Sequence, residues 1–152
     1  MPTVRVEEIV DAPRDALFAV LTDHEGADRF GGVQSCTIIR DGKPERNGLG
    51  AVRRVHLGGP AVLDEEIVVF DPPAVYEYRV IRARPLPVKH TLGRVELEAL
   101  DANRTKVTWV STFEITVPVV GKRIGNHAAP RFERAFRSTI RTAATLALGA
   151  AA

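Results

Sequence analysis

The sequence predicts an α+β fold: a curved, seven-stranded antiparallel sheet wrapped around a long C-terminal helix, with two short helices after the first strand. Three observations carry this. From residue 33 to 116, short runs of apolar and β-branched residues succeed one another, separated by brief turns, and short connections favour antiparallel neighbours. Residues 131–148 break that pattern and repeat their apolar side chains at helical spacing. A sheet must cover one face, and this helix carries the only large apolar stripe able to do so.

Each element has a local reason. "TVRVEEIV" (3–10) is β-branched and alternating, which reads as a strand. In "DAPRDALFAVLTD", Pro13 suits the first turn of a helix, where its missing N–H has no partner to lose. Asp15 sits in that first turn, and Ala16, Leu17, Val20 and Leu21 recur at helical spacing. "HEGADRFGG" gives a second short helical turn ended by Gly31-Gly32. Strands follow at 33–40, 51–57, 61–70, 75–81, 91–100 and 104–116. Between them lie the turn-rich "DGKPERNGLG", Gly58-Gly59-Pro60, Asp71-Pro72-Pro73, a loop with Pro85 and Pro87, and Asp101-Ala102-Asn103. In the last segment, Phe132, Ala135, Phe136, Thr139, Ile140, Ala143, Leu146 and Ala147 share one helical face, with Arg134, Arg137 and Arg141 opposite. Pro130 and Gly125-Asn126 leave open whether this helix reaches back towards Val119.

Strand parity then sorts side chains. Val107, Trp109, Ser111, Phe113 and Ile115 share a face, as do Val95, Leu97 and Ala99. Tyr76, Tyr78 and Val80 oppose the charged Glu77 and Arg79, so the tyrosines are expected inside. Two buried phenols need polar partners: a side chain, water or a ligand. On 61–70, Leu63, Glu65, Ile67 and Val69 fall together, which brings Glu65 inward unless a bulge turns it out. For 51–57 parity allows either Arg54 and His56, or Arg53 and Val55, to face in. The helix stripe is built largely of small residues, so a strongly curved sheet is expected to leave a cavity beneath it.

Bulk properties narrow the function. A chain of 152 residues suffices for one domain with a substantial core, here taken as 1–152. No apolar run reaches membrane-spanning length and no targeting signal is evident, so a cytoplasmic location is expected. Cys36 is the only cysteine, which rules out an internal disulfide. Charge is uneven: residues up to Val117 carry 15 basic and 18 acidic side chains, whereas from Pro118 onward six basic residues face Glu133 alone. Such a segment could meet an anionic membrane surface; nucleic acid is disfavoured, because no aromatics interleave with the arginines to stack on bases. His24, His56, His90 and His127 lack metal-ligand spacing, and "GKRIGN" lacks the pattern of a phosphate loop, so no metal or cofactor is expected. His90 reads either as a loop-edge residue or as part of a cavity rim.

The element order, "DAPRDALFAVLTD" after the first strand, "FDPPAVYEYRV" at a central hairpin, "TKVTW" in the last strand and the amphipathic C-terminal helix resemble the SRPBCC superfamily. Its helix-grip fold is shared by START-related lipid-transfer domains, pollen-allergen-type carriers and bacterial polyketide cyclase/dehydrase-like proteins. The last group is the nearest in flavour, and the resemblance runs from Thr3 to about Leu148. Many relatives carry a tryptophan at the end of the second short helix, where this chain has Phe30. The resemblance implies a small hydrophobic ligand, lipid-like or polyketide-like, held between sheet and helix.

Three readings follow. In the first, the chain is a carrier or sensor whose ligand touches Tyr76, Tyr78, Trp109, Phe113, Glu65, Arg54, His56, Phe132 and Phe136. In the second it is a polyketide cyclase, aromatase or dehydratase, with a base among His56 and Glu65 and enolate-stabilising donors among Arg54, Tyr76 and Tyr78. In the third it is a partner- or membrane-binding module using Arg134, Arg137 and Arg141.

Overall fold

A computed structural model describes residues 2–151, with side chains to residue 149. Seven strands form one antiparallel sheet in the order β1-β7-β6-β5-β4-β3-β2. β1 (Thr3–Val10) pairs with the last strand, β7 (Arg104–Ile115), with Val6 opposite Trp109. The chain then crosses through α1 (Arg14–Leu21) and a 3-10 turn (His24–Arg29) to the other edge. There β2 (Ser35–Arg40) begins a run of hairpins through β3 (Val52–His56), β4 (Val62–Asp71), β5 (Val75–Arg84) and β6 (Val88–Asp101) back to β7. α2 (Gly121–Ala151) packs across β1, β7 and α1.

The inward parities on β5 and β7 hold. Tyr76, Tyr78, Val107, Trp109, Ser111, Phe113 and Ile115 are all buried. On β4, Glu65 and Ile67 are buried, but a register shift between Ile67 and Val69 alters the alternation. Phe70, rather than Val69, packs on Phe18, with ring centroids 5.6 Å apart. Ala99, expected inside, is exposed at the fraying end of β6, where the register shifts again.

α2 is longer than its apolar stripe alone predicts. It runs 31 residues without interruption through Pro130. Pro130 lies on the exposed face, where the carbonyl it leaves without a donor, that of exposed Asn126, meets water. Its two halves are seated differently. Ile140, Ala143, Ala144 and Ala147 are buried, in one core with Leu17, Phe18 and Leu21 of α1 and Val4 and Val6 of β1. Phe132, Ala135 and Phe136 stay only half-buried. The small residues therefore let the helix sit close, and the space between helix and sheet opens beneath the phenylalanines instead.

Candidate ligand cleft

That space is a partly open cleft of about 100 Å3 between the N-terminal half of α2 and the middle of the sheet. Phe132 and Phe136 form its helix side. The sheet contributes Leu63 from β4, Val80 from β5, Val88 from β6, and Phe113 and Ile115 from β7. Among these apolar walls stand four polar side chains: Glu65, Tyr78, His90 and Ser111. An apolar chamber with a few convergent polar groups is the ordinary form of a small-molecule site.

Tyr78 is held on every side. Trp109 Nε1–H donates to its phenolic oxygen at 2.9 Å. The His90 imidazole stacks on its ring, centroids 5.4 Å apart and planes within 16°. Gly93, opposite it on β6, leaves room for the ring: a Cβ there would come within 2.5 Å of Tyr78 Cζ. Burial raises the phenol pKa, and the nearby Glu65 carboxylate raises it further, so Tyr78 stays protonated. Its hydroxyl hydrogen has no acceptor among the described residues.

His90 is a second fixed group. Val80 N–H donates to His90 Nδ1 at 3.2 Å, which leaves the ring proton on Nε2 to donate to Ser111 Oγ at 3.1 Å. Burial lowers the imidazole pKa to about 4, so the ring is neutral near pH 7. Ser111, having accepted from His90, keeps its own O–H for another partner.

Behind Glu65 lies a buried charge network. Arg53 Nε donates to Glu65 Oε1 at 2.9 Å, and Arg53 Nη1 donates to His24 Nδ1 at 3.0 Å. His24 Nε2–H donates in turn to the Asn47 carbonyl at 2.9 Å. The guanidinium carbon sits 5.2 Å from the Tyr78 ring centroid. Burial, the largest single influence, pulls the Arg53 pKa down, but the Glu65 carboxylate together with Tyr76, Cys36 and Tyr78 outweighs it and the net shift is upward. Burial, and then the Arg53 charge, push His24 down to about 3. Arg53, Glu65 and His24 are thus each paired, as burial requires, whereas the buried side-chain oxygen of Asn47 has no partner among the described residues.

Of the residues expected at the site, Glu65, Tyr78, Phe113, Phe132 and Phe136 line the cleft. Trp109 stands behind it, hydrogen-bonded to Tyr78 and stacked on Phe136 at 4.0 Å. Tyr76 belongs to the solid core, edge-on to Phe18 at 5.9 Å. Arg54 and His56 are corrections. β3 pairs with β4 so that Arg53 meets Glu65 inside, which sends Arg54 outward to a bidentate pair with Asp64, at 2.8 and 3.0 Å. His56 shares that outer parity and takes no part in the cleft. Arg53, His24 and Ser111 lay outside the expected set. Ser111 had the right parity, but only its hydrogen bond to His90, with Gly93 between it and Tyr78 in the ladder, gives it a role.

The fold and cleft define a protein of the helix-grip type, within the START/SRPBCC superfamily. The chain belongs to the family described as polyketide cyclase / dehydrase and lipid transport, which matches residues 1–147. A comparison with curated proteins gives no match. Among solved structures, TTHA0849 from Thermus thermophilus is similar at a TM-score of 0.78 and 18% identity, covering 99% of this chain and 100% of that one. The Zhui aromatase/cyclase from Streptomyces sp. R1128 has a TM-score of 0.73 and 23% identity, with 96% and 93% covered. A START superfamily protein from Mycobacterium smegmatis has a TM-score of 0.72 and 15% identity, with 90% and 92% covered. At these identities the likeness is one of fold. Among the described residues, no helix is long and apolar enough to cross a membrane.

Proposed function

We propose that the chain binds a small, largely apolar molecule bearing one hydroxyl or carbonyl group in the cleft between α2 and the sheet. One observation carries this reading: an apolar chamber in which Tyr78 and Ser111 each keep an unused O–H while Glu65 keeps acceptor capacity. A carboxylate ligand would meet the Glu65 charge; a hydroxyl can donate to Glu65 and accept from Tyr78. At about 100 Å3 the cleft is smaller than the apolar cavity of about 150 Å3 that accommodates benzene, so it holds a short chain at rest and a ring only by using its open side. A longer lipid or polyketide enters only if the half-buried Phe132 and Phe136 swing away.

The test is a titration of Trp109 fluorescence with phenols, aromatic ketones and fatty acids of graded size, alongside native mass spectrometry of the purified protein. Saturable quenching by ring-sized hydroxyl compounds, weakened about tenfold or more in Tyr78→Phe with Ser111→Ala, is expected. Quenching by none of them, with no co-purifying molecule, would remove the reading.

Glu65 supports a second reading, a cyclase or dehydratase. A carboxylate beside two O–H donors supplies the base and the enolate-stabilising groups that such chemistry needs. His90 is a poor base here, because Nδ1 already accepts from Val80 and Nε2 carries the proton. Turnover of a poly-β-ketone that Glu65→Gln abolishes without loss of binding would select this reading. The third reading, through the basic helix face, loses support because Arg137 and Arg141 are paired with Glu8 at 3.1 and 2.9 Å.

A further inference from the structure

The two loops that continue the cleft's wall strands lie side by side. Residues 85–87 join β5 to β6 and residues 116–120 join β7 to α2, and Thr116 N–H donates to Pro87 O at 3.1 Å. Within the second loop, Val120 N–H donates to Pro118 O at 2.9 Å and Val119 has φ 72°. This is a γ-turn of the strained hand, centred on a β-branched residue. The strain secures no internal packing: the Val119 side chain is fully exposed. Val120 and, on the neighbouring loop, Leu86 are each 42% exposed. A strained apolar side chain that touches nothing in its own chain points to a contact outside it.

The charge around this tip is predominantly positive, with exposed Glu114, across the ladder from Lys89, as the acidic exception. Residues 81–90 and 116–127 carry Arg82, Arg84, Lys89, Lys122 and Arg123 and no Asp or Glu. Among the described residues none of these five forms an ion pair, although Arg82 and Arg84 feel the field of Asp64. Arg137 and Arg141, further along α2, are by contrast bound to Glu8. A second copy docking tip to tip would set five cations against five. Nucleic acid is no better, since an aliphatic tip offers no ring for bases to stack on. The surface that accepts aliphatic side chains and cations together is an anionic bilayer.

We infer that the 85–87 and 116–123 edge is a membrane-docking tip. Val119, with Val120 and Leu86, enters the interfacial layer while Lys122, Arg123, Arg84 and Lys89 meet anionic headgroups. Because Val88 and Ile115 line the cleft and adjoin these loops, docking brings the cleft to the lipid surface.

Flotation with vesicles of phosphatidylcholine alone, and of phosphatidylcholine mixed with phosphatidylglycerol, tests this without any ligand for the cleft. The outcome is therefore independent of the reading of the cleft. Binding to the anionic vesicles only, weakened by salt, is expected. Val119→Glu should lower it about tenfold, and Lys122→Glu with Arg123→Glu by at least as much. Arg131→Glu with Arg134→Glu should retain most of it. Thermal melts check that each variant is folded, which exposed positions favour. In a Cys36→Ala background, an environment-sensitive dye on Val119→Cys should shift to the blue on vesicles, and one on Asn103→Cys, at the opposite end of the sheet, should not. The proposal is overturned if anionic vesicles fail to float the protein, or if Val119→Glu floats as well as the parent. It is equally overturned if the tip proves to hold a vesicle-free dimer that Val119→Glu dissociates.

Discussion

Replacing Gly93 with alanine probes the packing on which the cleft depends. A Cβ on Gly93 would lie 2.5, 2.6 and 2.7 Å from Cζ, Cε2 and Cε1 of Tyr78. The ring has nowhere to go. His90 stacks on it at 5.4 Å, Arg53 lies 5.2 Å from its centroid, and Trp109 holds its oxygen at 2.9 Å. Forcing a methyl into a packed site costs about 1–3 kcal/mol. If the ring tilts, the buried Trp109 N–H loses its acceptor, for about 1–3 kcal/mol more. Removing a glycine from a strand returns only about 0.5–1 kcal/mol. The net loss is then about 1–5 kcal/mol, or a fall in Tm of roughly 2–20 °C for a chain of this size. Urea and thermal unfolding followed by circular dichroism measure it, and the fluorescence of Trp109, the only tryptophan, reports the local change. Gly93→Ala with Tyr78→Leu should be more stable than the sum of the two single changes predicts, because the clash is shared. An unchanged or raised Tm in the single variant would refute the reasoning, since that is the result of a strand with room to spare.

Three further outcomes can be measured. His24 and His90 are held neutral, with pKa values lowered by burial from 6.5 to about 3 and about 4; the unfolded chain therefore binds more protons below pH 6.5. Stability should be fully present above pH 6.5 and fall towards pH 4 by up to about 1.4 kcal/mol per pH unit per histidine, with His90→Gln reducing the slope and a flat profile excluding the mechanism. Arg53→Met leaves Glu65 buried beside an unpaired His24 Nδ1 and should cost about 3–5 kcal/mol in urea unfolding, most of it recovered on adding Glu65→Leu. Val119→Gly removes positive-φ strain without losing any packing and should stabilise by about 1 kcal/mol, whereas Val119→Ala, which keeps a Cβ, should not match it.

Much of the sheet was legible because one face is buried, so parity alone assigns sides. Tyr78, Phe113 and Trp109 follow from that rule, and their charged neighbours Glu77 and Arg79 reinforce it. The rule fails where two candidates of like chemistry are adjacent. Arg53 and Arg54 each have an acidic partner across the ladder, Glu65 and Asp64, and only the pairing of β3 with β4 decides which couple is inside. It fails again at bulges, as where Phe70 displaces Val69. The helix start was obscured by Gly125 and Pro130, each of which breaks helices on local propensity. In the fold, Gly125 lets the helix approach Pro2 and Ile115 closely, and Pro130 faces water. His24 gave no sequence signal at all, since its partners Arg53 and Asn47 come from distant segments.

The unequal seating of α2 separates stability from function along one helix. Its C-terminal half, from Ile140 to Ala147, is buried in a core with α1 and β1 and has nothing to yield without opening cavities. Its N-terminal half rests on half-buried rings, with Phe132 5.3 Å from Phe113 and Phe136 4.0 Å from Trp109. Fewer apolar contacts there mean a lower cost of local opening. Pro130, which deletes one backbone hydrogen bond, sits within that half. A molecule larger than the resting cleft can therefore be admitted by displacing residues 121–136 while the rest of the core stays closed. Hydrogen exchange would show this as amides of 124–136 exchanging far faster than those of 140–147; equal protection along the helix would mean that α2 moves as one piece and that the cleft takes only what fits it at rest.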